Sequence, residues 1–333
     1  MSKVTKVVLI VGGAMVALGI VFSVLGFMVF RNTYKKDTSK APEKNEVVIS
    51  DSFTNIEVSE ISDEVIIKPS ENGEVKVEYY DYDELEHDVE VSGDTLKVIV
   101  KDIHDGDPWW TRIQFGFDLA NIINNADYDT QTVIYLPEDS YGSLKINTIS
   151  GEVEVPEKYA FNDVTIYTTS GFITSDCTAT GNVDVGTVSG EITFSSVNAD
   201  KFKASSTSGS VKLSGSKVSG AFNIDTVSGD ITFNDVTSGS VKIDTTSGAI
   251  TLGDVESGDL NTNSVSGEVS FTNLTAGDVN IDTTSGDVTG TITGDHEYDV
   301  DTVSGDISLP SDIQGEAMVS ISTVSGDVDI EAA

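Results

Sequence analysis

Asp225-Thr226-Val227-Ser228-Gly229-Asp230-Ile231-Thr232-Phe233 decides the fold, because its core, Thr-(Val/Thr)-Ser-Gly-(Asp/Glu), returns along the chain at a fixed interval. The Ser-Gly pair recurs at Gly151, Gly171, Gly190, Gly209, Gly229, Gly248, Gly267, Gly286, Gly305 and Gly326, mostly 19 residues apart. So fixed a period marks a repeat architecture. A fainter echo, a small residue before glycine, falls half a period on at Gly181, Gly220, Gly239, Gly258 and Gly277, which predicts two corners per repeat.

Between the corners, residues alternate in character, as in Val241-Lys242-Ile243-Asp244 and Ile250-Thr251-Leu252. Period two with β-branched residues is the strand signal. A unit of two short strands cannot bury its apolar side alone, whereas a stack of units can. The pattern therefore predicts an all-β parallel β-solenoid of about ten ~19-residue coils, with Val241, Ile243, Ile250 and Leu252 inside and Asp225, Lys242, Asp244 and Thr251 outside. At the usual strand spacing such a rod would be roughly 45–50 Å long. The corner glycines supply either a positive φ or room for the coil above.

The residue before each Ser alternates, running Ile149, Thr169, Val188, Thr207, Val227, Thr246, Val265, Thr284, Val303, until Val324 breaks the series. A two-coil duplication accounts for it. The break predicts an atypical capping coil at the C-terminus.

Upstream, Val7 to Phe30 carries no charge and is flanked by Lys6 and Arg31. As a helix it would reach about 36 Å, enough to span a hydrocarbon core of ~30 Å. It exceeds the apolar core of a cleavable signal peptide and lacks a clear small-x-small cleavage site, so an uncleaved transmembrane anchor is expected after a short tail, 1–6. Lys3 and Lys6 on one flank against Arg31, Lys35, Lys36, Lys40 and Lys44 on the other favour a cytoplasmic C-terminus by count. A single N-terminal anchor before a large domain nevertheless has the layout of a signal-anchor, and the expectation is a single-pass protein of the cell membrane with its repeats outside.

Residues 31–45 read as a polar linker. Residues 46–140 alternate again and read as a β cap domain leading into the repeats of 141–333. An aromatic insertion, 103–130, interrupts it and holds both tryptophans, Trp109 and Trp110. These two are candidate binding residues on an exposed aromatic surface; the competing reading is an insertion packed over the open end of the solenoid.

The net charge is −36, and no Lys or Arg follows Lys242. Binding of nucleic acid or an anionic surface through such a face is disfavoured. Cationic peptides or other envelope components suit it, through repeated weak contacts. A single cysteine, Cys177, leaves no intramolecular disulfide. His87, His104 and His296 lie far apart and read as isolated surface histidines; no metal, triad or phosphate-loop spacing is present. The repeated corner serines lack repeated bases, which argues for hydrogen bonding and not nucleophilic catalysis. No enzyme activity and no cofactor are therefore expected. A carbohydrate-active β-helix enzyme is the alternative from another class, opposed by the scarcity of Arg, Lys and aromatic residues along the coils.

One feature resembles a ligand site. Asp225, Asp244, Asp282 and Asp301 share a repeat position, with Asn263 between the second and third. Neighbouring carboxylates ~5 Å apart repel, and Ca²⁺ would relieve that through oxygen ligands. The calcium nonapeptide pattern is absent, however, and solvated charges that keep a β rod soluble explain the ladder without a metal.

Asn55-Ile56-Glu57-Val58, Val133-Ile134-Tyr135-Leu136-Pro137 and Leu144-Lys145-Ile146-Asn147-Thr148-Ile149-Ser150-Gly151-Glu152-Val153, with the later repeats, resemble the bacterial putative-adhesin family of β-strand-repeat cell-envelope proteins across residues 46–333. The resemblance implies a β-solenoid exposed at the cell surface. Some similar proteins are tied to envelope stress and antimicrobial-peptide sensing, which gives a second functional expectation, a stress sensor or regulator binding cationic peptides. It implies no catalytic residues.

Overall fold

A computed structural model describes residues 42–81, 85–102, 130–310 and 315–333. The expected anchor, the linker up to 41, and Trp109 and Trp110 lie outside these residues. Among the described residues no helix is long and apolar enough to cross a membrane, and the secondary structure consists of 26 strands joined in one sheet system.

The repeats wind as a parallel β-solenoid. The ten Ser-Gly corners lie in one column and bound nine turns: a Cβ on each of these glycines would fall within 2.1 Å of the carbonyl oxygen of the corner beneath. None of the ten has a positive φ. Of the two roles expected for these glycines, close approach is the one realised. Val241, Ile243, Ile250 and Leu252 are buried as expected, Asp225, Lys242 and Thr251 are exposed, and Asp244 is half-buried. A file of phenylalanines, Phe194, Phe202, Phe222 and Phe233, runs through the middle coils with successive ring centroids 5.2, 5.3 and 5.4 Å apart. These tilted and edge-on contacts add to simple burial.

The middle coils turn three corners, not the two that the glycines suggest. The additional one is a left-handed residue at Ser196, Gly215, Asp235, Asp254 and Asn273, with φ between 51° and 59°. At Gly215, Asp235 and Asp254 it lies inside the long strands Val211–Thr226, Ile231–Asp244 and Ile250–Asn263, whose register pairing skips that one residue and resumes on either side of the bend. Gly, Asn and Asp are the residues that take this conformation at least cost.

At both ends the coils leave sequence order. Nine strands form the N-terminal part: β1 (Glu43–Ile49), β2 (Asn55–Ser59), β3 (Glu64–Pro69), β4 (Val75–Asp81), β5 (Leu85–Ser92), β6 (Thr95–Asp102), β7 (Gln131–Leu136), β8 (Ser140–Asn147) and β9 (Val153–Val155). β2 pairs in parallel with both β6 and β8, and β3 with both β7 and β9. The first coil in sequence is thus second in space, and β6 and β7 form the outermost one. Antiparallel strands close that end: β5 on β6, β4 on β7, and β1 on β4.

The C-terminus mirrors this arrangement. Val279–Asp282 pairs with Ala317–Ser322, which in turn pairs with His296–Asp301. Likewise Val288–Ile292 pairs with Val328–Ala332, and that strand with Ile307–Ser308. The final coil is therefore intercalated beneath the one that precedes it in sequence. The expected C-terminal cap is corrected accordingly: the coil of Gly305 is outermost, and that of Gly326 is interior.

Candidate functional site

The Ser-Gly corner is a hydrogen-bonding device. Three residues before each glycine stands a Thr or Ser, and at eight of the ten corners its side-chain oxygen accepts the glycine N–H, as Thr148 from Gly151 (3.1 Å), Thr187 from Gly190 (2.9 Å), Ser206 from Gly209 (2.7 Å), Thr245 from Gly248 (3.1 Å) and Thr283 from Gly286 (3.0 Å); at Gly229 the Thr226 hydroxyl instead donates to the glycine carbonyl (3.1 Å). The sequence shows this hydroxyl in every repeat, but its role emerges only from the turn. The Ser before the glycine donates to the coil below, Ser228 Oγ to Thr207 O at 3.2 Å and Ser247 Oγ to Val227 O at 3.3 Å. A hydroxyl so used is not poised as a nucleophile.

Two acidic columns stand on the walls. In the first, Asp225 pairs in register with Asp244, Asp244 with Asn263, and Asn263 with Asp282. Asp301 does not continue the column directly, because Ser322 lies between it and Asp282. The ladder is also neutralised from within: Asn263 Nδ2 donates to Asp244 Oδ1 at 2.6 Å, and Lys242 forms an ion pair with the other Asp244 oxygen. Burial, then the neighbouring charge of Asp244, raises the Asp225 carboxyl above its ordinary range. Among the described residues no group of three or more His, Cys, Asp or Glu side chains comes together to hold a metal ion.

The second column follows the glycines, and here the carboxylates cap backbone groups one coil away. Asp230 Oδ1 accepts the N–H of Ala249, Asp287 Oδ1 that of Asp327, and Asp327 Oδ1 that of Asp306, each at 2.9 Å. At the half-period corner of Gly277, Asp278 Oδ1 accepts from the N–H of Met318 at 3.0 Å. Such charge-assisted bonds fasten coil to coil where the strands turn and the ladder is interrupted. A family model described as Toastrack DUF4097 matches residues 53–222 and, a second time, 218–333. The chain belongs to that family.

The two Toastrack DUF4097 matches meet inside Val211–Thr226, a strand in the middle of the continuous stack. Each match thus takes in one of the two ends at which coil order is exchanged. Comparison with curated proteins finds no match. Among solved structures, the chain is similar to a putative adhesin from Bacteroides fragilis (12% identity, 89% of this chain and 100% of that one, TM-score 0.38). It is also similar to a putative adhesin from Parabacteroides distasonis (14%, 88% and 98%, 0.44) and to a putative lipid binding protein from the same organism (18%, 90% and 100%, 0.40).

Sequence reasoning missed a charged cluster in this Toastrack protein. His87, on β5, is not an isolated surface residue: its side chain is 1% exposed. Its Nε2 lies 2.8 Å from Glu60 Oε1 and its Nδ1 3.0 Å from Asp81 Oδ1. Thr132 Oγ1 donates to the same Glu60 oxygen at 2.6 Å, and Tyr79 packs beside the imidazole at 4.8 Å between centroids. Burial disfavours the cationic ring, but Glu60 and Asp81 outweigh it and bring its pKa to about 9. The cluster joins β4 and β5, the closing strands, to the turn after β2. His296 is likewise buried, with its ring nitrogens 3.2 Å from the carbonyls of Gly294 and Ala276. His104 lies outside the described residues. Cys177 is fully buried, and burial pushes its thiol up to about 11.

Proposed function

We propose that this protein is a non-enzymatic, membrane-anchored surface protein whose solenoid is an acidic contact module for cationic partners at the cell envelope. One observation carries the reading: carboxylates recur in register on the coil walls, as at Asp287, Asp327 and Asp306, and so present repeated, nearly equivalent charges to solvent. A partner bearing several cations gains from such repetition, each contact weak and screened by salt. Residues 7–30 supply the anchor and 31–42 the spacer, the expected linker being shortened because Glu43–Asn45 already belong to β1. Corner serines engaged in bonds between coils support a role without catalysis.

Membrane sidedness tests it. Val303 is 81% exposed, while Cys177 is fully buried and gives little background. In Val303→Cys cells, a membrane-impermeant maleimide is expected to label the protein without lysis. Labelling only after lysis would place the solenoid inside the cell and overturn the reading.

A further inference from the structure

The two ends of the solenoid differ. At the N-terminal end, β4 and β5 cover the backbone edges of the outermost coil. At the C-terminal end, His296–Asp301 pairs only with Ala317–Ser322, and Ile307–Ser308 only with Val328–Ala332, among the described residues. This coil therefore turns an edge of free N–H and C=O groups outward, which is a template for an added strand.

Its side chains show which strand would fit. Tyr298, Val300 and Ile307 stand in register over Val319, Ile321 and Val328, which are at most 1% exposed. Yet Ile307 is 45% exposed, and Tyr298 and Val300 are only half-buried. Among the described residues, the solenoid interior is only partly covered here. Between these apolar positions Glu297, Asp299 and Asp301 face solvent, and Asp306 follows the corner.

We propose that this end face is a docking surface for an extended cationic segment of a partner protein, added as a β-strand along His296–Asp301. Alternate residues of that strand cover Tyr298 and Val300 and are apolar; the others lie beside Glu297, Asp299 and Asp301 and are Lys or Arg. The same acids reject a second copy of this chain, because pairing two such edges sets carboxylate against carboxylate. The proposal rests on the acidic-module reading and gives that module a defined address.

The test uses the full chain and a labelled ten-residue peptide of alternating Lys and Val, with an isomer carrying its lysines in one block. The alternating peptide is expected to bind more tightly than the block isomer. The double variant Asp299→Lys, Asp301→Lys should weaken it by about tenfold or more, as loss of facing charges does. Glu256→Lys with Glu268→Lys makes the same charge change on the exposed wall and should have a much smaller effect. Circular dichroism confirms that each variant is folded. Equal weakening by both double variants would mean adsorption to a polyanion, sinking the end site while leaving the acidic-module reading intact. No binding of either peptide even at low salt would sink both. Self-association of the native chain, abolished by Asp299→Lys, would assign the edge to a second copy and overturn the proposal.

Discussion

Gly326, not Gly305, sits on Gly286: a Cβ at Gly326 would lie 2.0 Å from the Gly286 carbonyl oxygen, and one at Gly305 would lie 2.1 Å from that of Gly326. Sequence order would have placed Gly305 there, with the same motif and nearly the same contacts. The two orders therefore compete, and removing the last coil should let the other form. A chain ending at Pro310 is expected to stay folded, with Ile307–Ser308 directly on Val288–Ile292. Cysteines at Thr289 and Ser308 report this. In the whole chain Asp329 separates them, at roughly twice the ~4.8 Å strand spacing and beyond disulfide reach. Oxidation should cross-link the shortened chain and spare the whole one; cross-linking of both would show that the exchanged order is not the one populated.

Stacking at the corner sets a sharp steric rule. At Gly248 an added Cβ would stand 1.9 Å from the Gly229 carbonyl oxygen, so the coils would have to part. At Gly253, five residues on, the nearest atom is the Asn234 side-chain oxygen at 3.3 Å. Gly248→Ala is expected to destabilise by ~3 kcal/mol or more, and Gly253→Ala by less than ~1 kcal/mol, in the range of strained and tolerated substitutions. Urea midpoints of the two variants decide the point. Equal losses would mean that the corner column is looser than its geometry.

The inner face was legible in the sequence because burial follows strict alternation: Val241, Ile243, Ile250 and Leu252 are buried where a period of two puts them. Coil order was not, since Gly305 and Gly326 carry the same motif and local pattern cannot say which lies lower. The left-handed corner was hidden by its variety, Ser196, Gly215, Asp235, Asp254 and Asn273 sharing a backbone conformation and not a side chain. His87 was misread because its partners, Glu60 and Asp81, are distant in sequence and meet it only when β4 and β5 fold over the first coils. In the acidic ladder, the shared position of Asp225, Asp244 and Asp282 was visible, whereas the insertion of Ser322 before Asp301 follows from the exchanged coils.

Thr245 tests the hydroxyl at the corner. Its Oγ1 accepts the Gly248 N–H at 3.1 Å and the Thr226 hydroxyl at 2.9 Å, and the residue is buried. Thr245→Val keeps the shape and leaves that N–H without its acceptor, which should cost about 1–3 kcal/mol. Thr246→Val, one residue on, reproduces the residue found at Val227 and should change stability by less than ~0.5 kcal/mol. If thermal unfolding shows both to be neutral, the corner is held by the backbone alone.

The cluster of His87, Glu60 and Asp81 predicts a loss of stability on the alkaline side. Its folded-state pKa, about 9, lies above the ordinary 6.5, so the native state holds the proton more tightly than the unfolded chain. The resulting stabilisation is complete below pH 6.5 and is lost as pH rises through about 9, amounting to ~3 kcal/mol by linkage. His87→Leu strands two carboxylates beside an apolar group. It should cost about 3–5 kcal/mol at neutral pH, as breaking a buried pair does. Denaturant midpoints measured from pH ~6 to ~10 should fall for the native chain and run flatter for His87→Leu. Because the cluster ties the closing strands to the first coil, hydrogen exchange in β4 and β5 should quicken before that in Val211–Thr226 as pH rises, once corrected for intrinsic exchange. Parallel pH curves for the native chain and His87→Leu would show that the fold does not hold the imidazolium and overturn the prediction.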